Sequence, residues 1–555
     1  MFTRNFARAQ ILLSIFLRLD SAFASPTDGS SAAALPTVNL GYATYTGGTY
    51  TDPFTSKINT QFLGIRYAAP PTASLRFAAP QKPATISGTQ AADKLPAACY
   101  QASSGSQPQS PFRQGSQLSA RQFSPPVVNE DCLFVNVYIP GNLGDNKSLP
   151  VIVWIHGGGY ISGSAADNGN DLIRASNGGV IAVTVQYRLG VFGFLAGQKV
   201  KDGGALNAGL LDQQFALQWV QANIQKFGGD PQKVTIWGES AGAGSVIQHI
   251  VANGGETDPP LFRAAITSST FLPSQYFYND RIPEALYTQT VAAAGCSKAK
   301  DTLQCLRTVN IVTLENANNV INQSGFYGTF TSVPVVDGVF ITERPSVLIK
   351  DGRVNGNAYL GITNIDEGSP FVNQTLPVVA PTTPLLYAAN LFPDLSLPQA
   401  LAVSKEYSTI GTTLQQANAM MTDSIFLCPT YYLLQAFEQK GAYKGEFAIP
   451  PGTHGSDYVY YFPNGKTMTP AFNNQPFIKA FSQSFANFWL GLNPNIKWDP
   501  SNITPAWKAW TSSSKTEMHF GQTSSSMPDI RPITSSDALL NRCDFWVSIS
   551  DATAQ

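Results

Sequence analysis

A mostly parallel α/β sheet with helices on both faces is the fold class that the sequence predicts, on three observations. Short apolar, β-branched runs recur along the chain, stretches of helical spacing lie between them, and two glycine-rich motifs directly follow two of the runs. The runs predict strands over 151–155, 180–187, 234–237, 264–266 and 359–362. Between the second and third, Phe215, Leu217, Val220 and Ile224 predict a helix over 211–227, and a further helix is expected over 243–250. In open sheets of this kind, ligands bind beyond the carboxyl ends of the strands, where both glycine-rich motifs fall.

Composition narrows the function classes. The chain has 555 residues, 43% of them hydrophobic, enough for a large core, and no Pro/Gly/Ser linker or internal repeat divides it. Its formal charge of −1, with 13% charged residues and no Lys/Arg cluster, excludes a nucleic-acid binder. No stretch beyond the N-terminus reaches the roughly 18 apolar residues of an integral membrane segment. Arg4 and Arg8, the apolar run 11–17 and Ala22-Phe23-Ala24 read as a secretion signal over 1–24, followed by a Ser/Ala/Pro-rich, disordered segment over 25–37. Six cysteines fit an oxidising, extracellular compartment. Cys99/Cys132 and Cys296/Cys305 have the spacing of local pairs, which leaves Cys428 and Cys543, although spacing alone does not choose among the pairings. Asn-x-Ser/Thr tripeptides at Asn146, Asn322, Asn373 and Asn502 are glycosylation candidates.

The chemistry starts at Gly238-Glu239-Ser240-Ala241-Gly242, between an apolar strand and a helix, the pattern of a nucleophile elbow. A sharp strand-to-helix turn lifts one side chain above the sheet edge, and the residues two before and two after must be tiny. A serine hydroxyl needs a base. Of the four histidines, His156 opens a glycine loop, His249 sits deep in the helix after Ser240, and His519 lies in an expected edge strand. His454, in a late loop before an expected strand over 458–462, suits the order serine, acid, histidine. Asp366 and Glu367, just past the run at 359–362, both qualify as the acid that holds the base. His156-Gly157-Gly158-Gly159 can present consecutive amides to an oxyanion, with the Ala241 amide completing the hole. A dinucleotide loop would need a third glycine at position 162, which is serine, and neither a Walker A sequence nor a His-Glu-x-x-His motif occurs. No cofactor and no metal is expected.

With these motifs on view, the chain resembles the type-B carboxylesterase/lipase family. The segment 227–242, from Phe227-Gly228-Gly229-Asp230-Pro231 to the elbow, looks like the family's serine signature, and Glu130-Asp131-Cys132-Leu133-Phe134-Val135-Asn136-Val137 is similar to its second signature. The resemblance spans 38–546 and implies an α/β-hydrolase fold in a single domain over 38–555. It implies Glu367 as the acid, Gly158, Gly159 and Ala241 as oxyanion donors, and the pairs Cys99–Cys132, Cys296–Cys305 and Cys428–Cys543. A supporting serine of the family maps to Ser269. The implied activity is a serine carboxylic ester hydrolase working through an acyl-enzyme on a small-molecule ester. The alternatives are a lipase or sterol esterase and, remotely, a non-catalytic adhesion relative.

The loop between Cys99 and Cys132 bears on the substrate. It has no tryptophan to meet a quaternary ammonium, which argues against choline esters. Phe112, Leu118 and Phe123 stand at intervals of six and five, and Pro108 and Pro111 interrupt any helix. The loop reads as a polar rim rather than an amphipathic lid, so soluble short- to medium-chain esters are the expected substrates.

Overall fold

The computed structural model describes residues 35–113, 128–375, 383–464 and 469–555. The expected signal over 1–24 lies outside the described residues, as do Leu118 and Phe123. Residues Pro36–Gln555 form one compact unit. Thr37, expected in the disordered leader, instead pairs with Thr46 in the first strand.

Fourteen strands are described. β1 (Thr37–Asn39), β2 (Thr44–Thr46) and β5 (Thr89–Ala91) form a small sheet. The other eleven are β3 (Gly48–Thr51), β4 (Ile58–Arg66), β6 (Phe134–Pro140), β7 (Leu149–Ile155), β8 (Ile181–Val185), β9 (Gly229–Glu239), β10 (Ala264–Ser268), β11 (Tyr359–Asn364), β12 (Ala442–Ala448), β13 (Thr516–Gln522) and β14 (Pro528–Thr534). They make one sheet in the order β14-β13-β12-β11-β10-β9-β7-β8-β6-β4-β3. From β8 to β13 every neighbouring pair is parallel, and antiparallel strands close both edges.

Strand β7 is apolar throughout because both faces of the sheet are covered there. Along β7, Val151, Val153 and Ile155 enter one core, while Ile152 and Trp154 enter the other. The five expected strands fall within or over β7 to β11. The helix expected over 211–227 runs Ala208–Asn223 and then tightens into a 3-10 turn, Ile224–Phe227.

Two local expectations are corrected. The aromatic run after His454 is not a strand but a helical turn, Tyr458–Tyr461. The Tyr461 hydroxyl reaches back 2.7 Å to Asp457, a contact four residues long that an extended chain cannot make, so tertiary contacts override β propensity. His519 lies on β13 as expected of a strand, but β14 covers that strand and takes the edge itself.

All three disulfides form as Cys99–Cys132, Cys296–Cys305 and Cys428–Cys543. Two of the glycosylation candidates are buried. Asn322 has no exposed surface and its amide bonds within its own helix, and Asn502 is buried with its amide on Gln483. Asn146 and Asn373 are only partly covered. Among the described residues, no helix is long and apolar enough to cross a membrane.

Candidate active site

The carboxyl ends of β7, β9, β10 and β11 converge on one place. Ser240 follows β9 with φ of 56° and ψ of −125°, a region that a non-glycine residue enters only when its surroundings force it there. The forcing contacts are visible. The Ser240 amide is tied to the Ser268 carbonyl at the end of β10 (3.0 Å), and the helix Ala241–Val251 starts at once. A Cβ on Gly238 would stand 2.3 Å from the Gly242 carbonyl, and one on Gly242 would stand 2.0 Å from the Ile155 carbonyl oxygen. Both glycines are therefore required by close approach, as the sequence pattern anticipated.

The loop after β7 supplies donors. The Gly158 carbonyl accepts from the Ile161 amide, the Ser162 amide and the Ser162 hydroxyl at 2.9–3.0 Å, which curls the loop. Gly158 (φ 102°) and Gly159 (φ 64°) take conformations that suit glycine. Among the described residues, the amides of Gly158, Gly159 and Ala241 donate to no acceptor. Ala241 is the first residue of its helix, where an N–H has no intrahelical partner and the helix dipole favours negative charge.

Glu367, rather than Asp366, meets the histidine. Its Oε2 receives His454 Nδ1–H at 2.6 Å, and its Oε1 receives the Asn364 amide at 2.6 Å. Asp366 instead caps its own loop through Ser369. The two loops are laced together by the Asp366 amide on the Gly452 carbonyl (2.8 Å), which brings 367 beside 454. Burial works against a charged His454, and the bond and charge of Glu367 outweigh it, so its pKa is raised above the ordinary imidazole value. The rings of Phe371 and Phe426 pack on His454 at centroid distances of 4.9 and 4.7 Å.

His454 Nε2 lies 3.4 Å from Glu239 Oε1, and no hydrogen bond joins His454 to Ser240 in this structure. Glu239 is the residue before the elbow serine, so the ring faces that turn. Burial pushes the Glu239 carboxyl up to about 8.

The other histidines are accounted for. Burial lowers His156 to about 4, and its ring stacks on Tyr187. Burial lowers His249 to about 3, and its Nε2 pairs with Gln213. His519 pairs with Glu446 across β12 and β13.

Sequence reasoning missed Asn364, Asp457 and the role of Glu239. The Asn364 Nδ2 group donates to Ser269 Oγ (3.0 Å), to Asp457 Oδ1 (3.0 Å) and more distantly to Glu367 Oε1 (3.3 Å). Ser269, the serine implied by the resemblance, thus touches the acid only through Asn364. The available signal was proximity to the motifs: Asn364 precedes Glu367 by three residues, and Asp457 follows His454 by three.

Two hollows adjoin this centre. Phe271 and Phe330 line a largely apolar cavity, together with Val191, Leu286, Ile321 and Ile425. Phe271 packs on Phe426 and Phe330 on Phe371, so an aromatic cluster stands between His454 and the cavity. Phe330 also abuts Gly159, where an added Cβ would stand 2.0 Å from its ring. A separate cleft is lined by Glu239, His454, Tyr458 and Tyr460. Among the described residues, no group of His, Cys, Asp and Glu side chains is arranged to hold a metal.

The chain is 31% identical to the secreted triacylglycerol lipase LIP1 of Gibberella zeae, over 83% of this chain and 84% of that protein. It is 30% identical to carboxylesterase patB of Penicillium expansum, over 84% and 90%. The crystal structure of Aspergillus niger EstA superposes with a TM-score of 0.81 at 30% identity, covering 94% of this chain and 99% of that one. Residues 35–546 match the Carboxylesterase family, and the chain belongs to that family as a carboxylic ester hydrolase with an α/β-hydrolase fold.

Proposed function

We propose that this hydrolase works through an acyl-enzyme on Ser240, with His454 as base, Glu367 as its acidic partner, and the amides of Gly158, Gly159 and Ala241 as the oxyanion hole. The observation that carries this reading is the His454 ring, bonded at Nδ1 to Glu367 and turned at Nε2 toward the Glu239–Ser240 turn. In the first half-reaction, the Ser240 oxygen attacks the ester carbonyl and its proton passes to His454 Nε2. The tetrahedral oxyanion rests on the three amides, and His454 returns the proton to the departing alcohol. A water then repeats the sequence on the acyl-enzyme, releasing the acid and freeing Ser240. His454 has to turn its Nε2 from Glu239 to the Ser240 hydroxyl to do this. The protein is secreted on this reading, in keeping with its three disulfides and with the printed names of relatives such as the Gibberella zeae lipase.

Soluble short- to medium-chain esters are the substrates this reading favours, because the described part of the rim after Cys99 is polar and proline-interrupted. The second reading, a lipase or sterol esterase, is favoured by the apolar cavity beside the aromatic cluster, which offers acyl carbons a buried apolar lining. Raising a sparingly soluble ester through its solubility limit separates the two. A smooth, saturating rate supports the esterase reading; a jump at the limit, with preference for long-chain triglycerides, supports the lipase.

A further inference from the structure

Beyond β10 the chain runs without regular structure over residues 271–276, and Phe271, Pro273, Ser274 and Tyr276 form one wall of the apolar cavity. The facing wall includes Met421 and Ile425, at and just inside a π-helical turn, Thr422–Leu427. Such turns are uncommon and concentrate at functional sites. Neither wall segment is held by a sheet ladder. Both are held by buried amide side chains.

Gln555 is buried against the two walls. Its Nε2 group spends one hydrogen on the Leu272 carbonyl (2.7 Å) and the other on the Ser424 carbonyl (2.8 Å). Leu272 and Ser424 immediately adjoin cavity-lining residues, and the Leu272 amide donates to the Ile425 carbonyl (3.0 Å). A second tie lies close by. Gln248, on the helix that starts after Ser240, and Gln275 exchange two reciprocal amide hydrogen bonds of 2.8 and 3.0 Å. The Gln275 amide donates to the Ala554 carbonyl at 2.6 Å. Gln555 thus bonds the backbone of both walls, and the reciprocal Gln248–Gln275 pair anchors the irregular one through the Gln275 side chain. Gln248, Gln275 and Gln555 do not line the cavity themselves.

We propose that Gln555, supported by the Gln248–Gln275 pair, is a specificity-determining clamp: it holds the two walls of the apolar cavity at the spacing that accepts the acyl chain. This rests on the ester-hydrolase reading and on the cavity as the acyl site. Gln555 acts through the wall backbone rather than on the substrate. Losing its two hydrogen bonds frees residues 271–276 and the π turn to shift against each other. An acyl chain long enough to enter the cavity then loses its fit, whereas an acetyl group does not reach that far.

The test compares p-nitrophenyl acetate with p-nitrophenyl decanoate on the full-length protein and on Gln555→Ala. The expected result is a decanoate-to-acetate ratio of kcat/KM lowered roughly five-fold or more, with acetate turnover within about two-fold of the parent. The double substitution Gln248→Met with Gln275→Met replaces both amides by apolar chains of similar length and removes no single partner from a pair. It should lower the same ratio in the same direction. An unchanged ratio in Gln555→Ala, or equal losses on both esters, overturns the clamp. If the parent protein itself turns over neither ester, the ester-hydrolase reading fails, and the clamp with it.

Discussion

Glu239 Oε1 lies 3.4 Å from His454 Nε2, while Glu367 holds the other ring nitrogen at 2.6 Å. The imidazole stands between two carboxyls of different character. Glu367 is fully buried but collects the Asn364 amide and the His454 N–H. Among the described residues the Glu239 carboxyl accepts no hydrogen bond, and burial pushes it up to about 8. Glu367 is tied by two short hydrogen bonds, whereas burial favours the protonated form of Glu239.

This difference gives Glu239 a defined pH signature. Below about pH 4.5 it carries its proton in the folded and unfolded chains alike, so Glu239→Gln should be neutral for stability there. Between about 4.5 and 8 the unfolded chain ionises and the folded chain resists, so this group's contribution falls as pH rises. Glu239→Gln should therefore raise the thermal midpoint at pH 9 relative to the parent and change it little at pH 4. Equal midpoint shifts at both pH values contradict the assignment.

In the parent protein the acid limb itself is diagnostic. Burial opposes the His454 charge, Glu367 more than restores it, and the base must be neutral to accept a proton. Activity should rise with pH along a one-proton curve whose midpoint lies above ~6.5. A profile flat between about pH 5 and 8 excludes histidine as base.

The oxyanion loop has no room for side chains. A Cβ at Gly158 would stand 2.3 Å from the Ser162 carbonyl oxygen, and one at Gly159 would meet the Phe330 ring. Gly158→Ala or Gly159→Ala should displace the amides and lower kcat on the order of a hundred-fold, as loss of an oxyanion donor does. Circular dichroism should stay near that of the parent. Full activity in either variant would place the oxyanion elsewhere.

Asn364 offers a test of positioning. Its side chain touches Ser269, Asp457 and Glu367, and its main-chain amide holds Glu367. Asn364→Ala keeps the amide but leaves Asp457 with Tyr461 as its remaining side-chain partner. The expected effect is a kcat lower by about ten-fold or more with KM little changed, because Glu367 and His454 lose their fixed geometry. A change confined to KM argues against that role.

Cys428 and Cys543 close a loop spanning a sequence separation of 115. Loop entropy assigns such a link about 4–5 kcal/mol. Replacing both by alanine should lower the thermal midpoint by several degrees, while the site, built at the strand ends, keeps its activity at low temperature.

The sheet and the elbow were legible in the sequence because their causes are local. A run such as 151–155 that is apolar at every position is buried on both faces, and Gly238 and Gly242 sit where only hydrogen fits. The choice of Glu367 over Asp366 was not local: it depends on the Asp366–Gly452 bond between segments far apart in the chain. The turn Tyr458–Tyr461 has the composition of a strand, and Asp457 with the surrounding aromatic core decides it for the same reason. Burial of Asn322 and Asn502 is likewise a tertiary property that a tripeptide cannot report.

The most direct measurement is covalent labelling of Ser240. A serine-directed organophosphonate should label the protein once, on the peptide carrying Ser240, in step with loss of ester hydrolysis. Ser240→Ala should take no label and should lose roughly four orders of magnitude in kcat with an unchanged fold. Label on any other residue, or an alanine variant that still hydrolyses esters at the parent rate, would contradict the account.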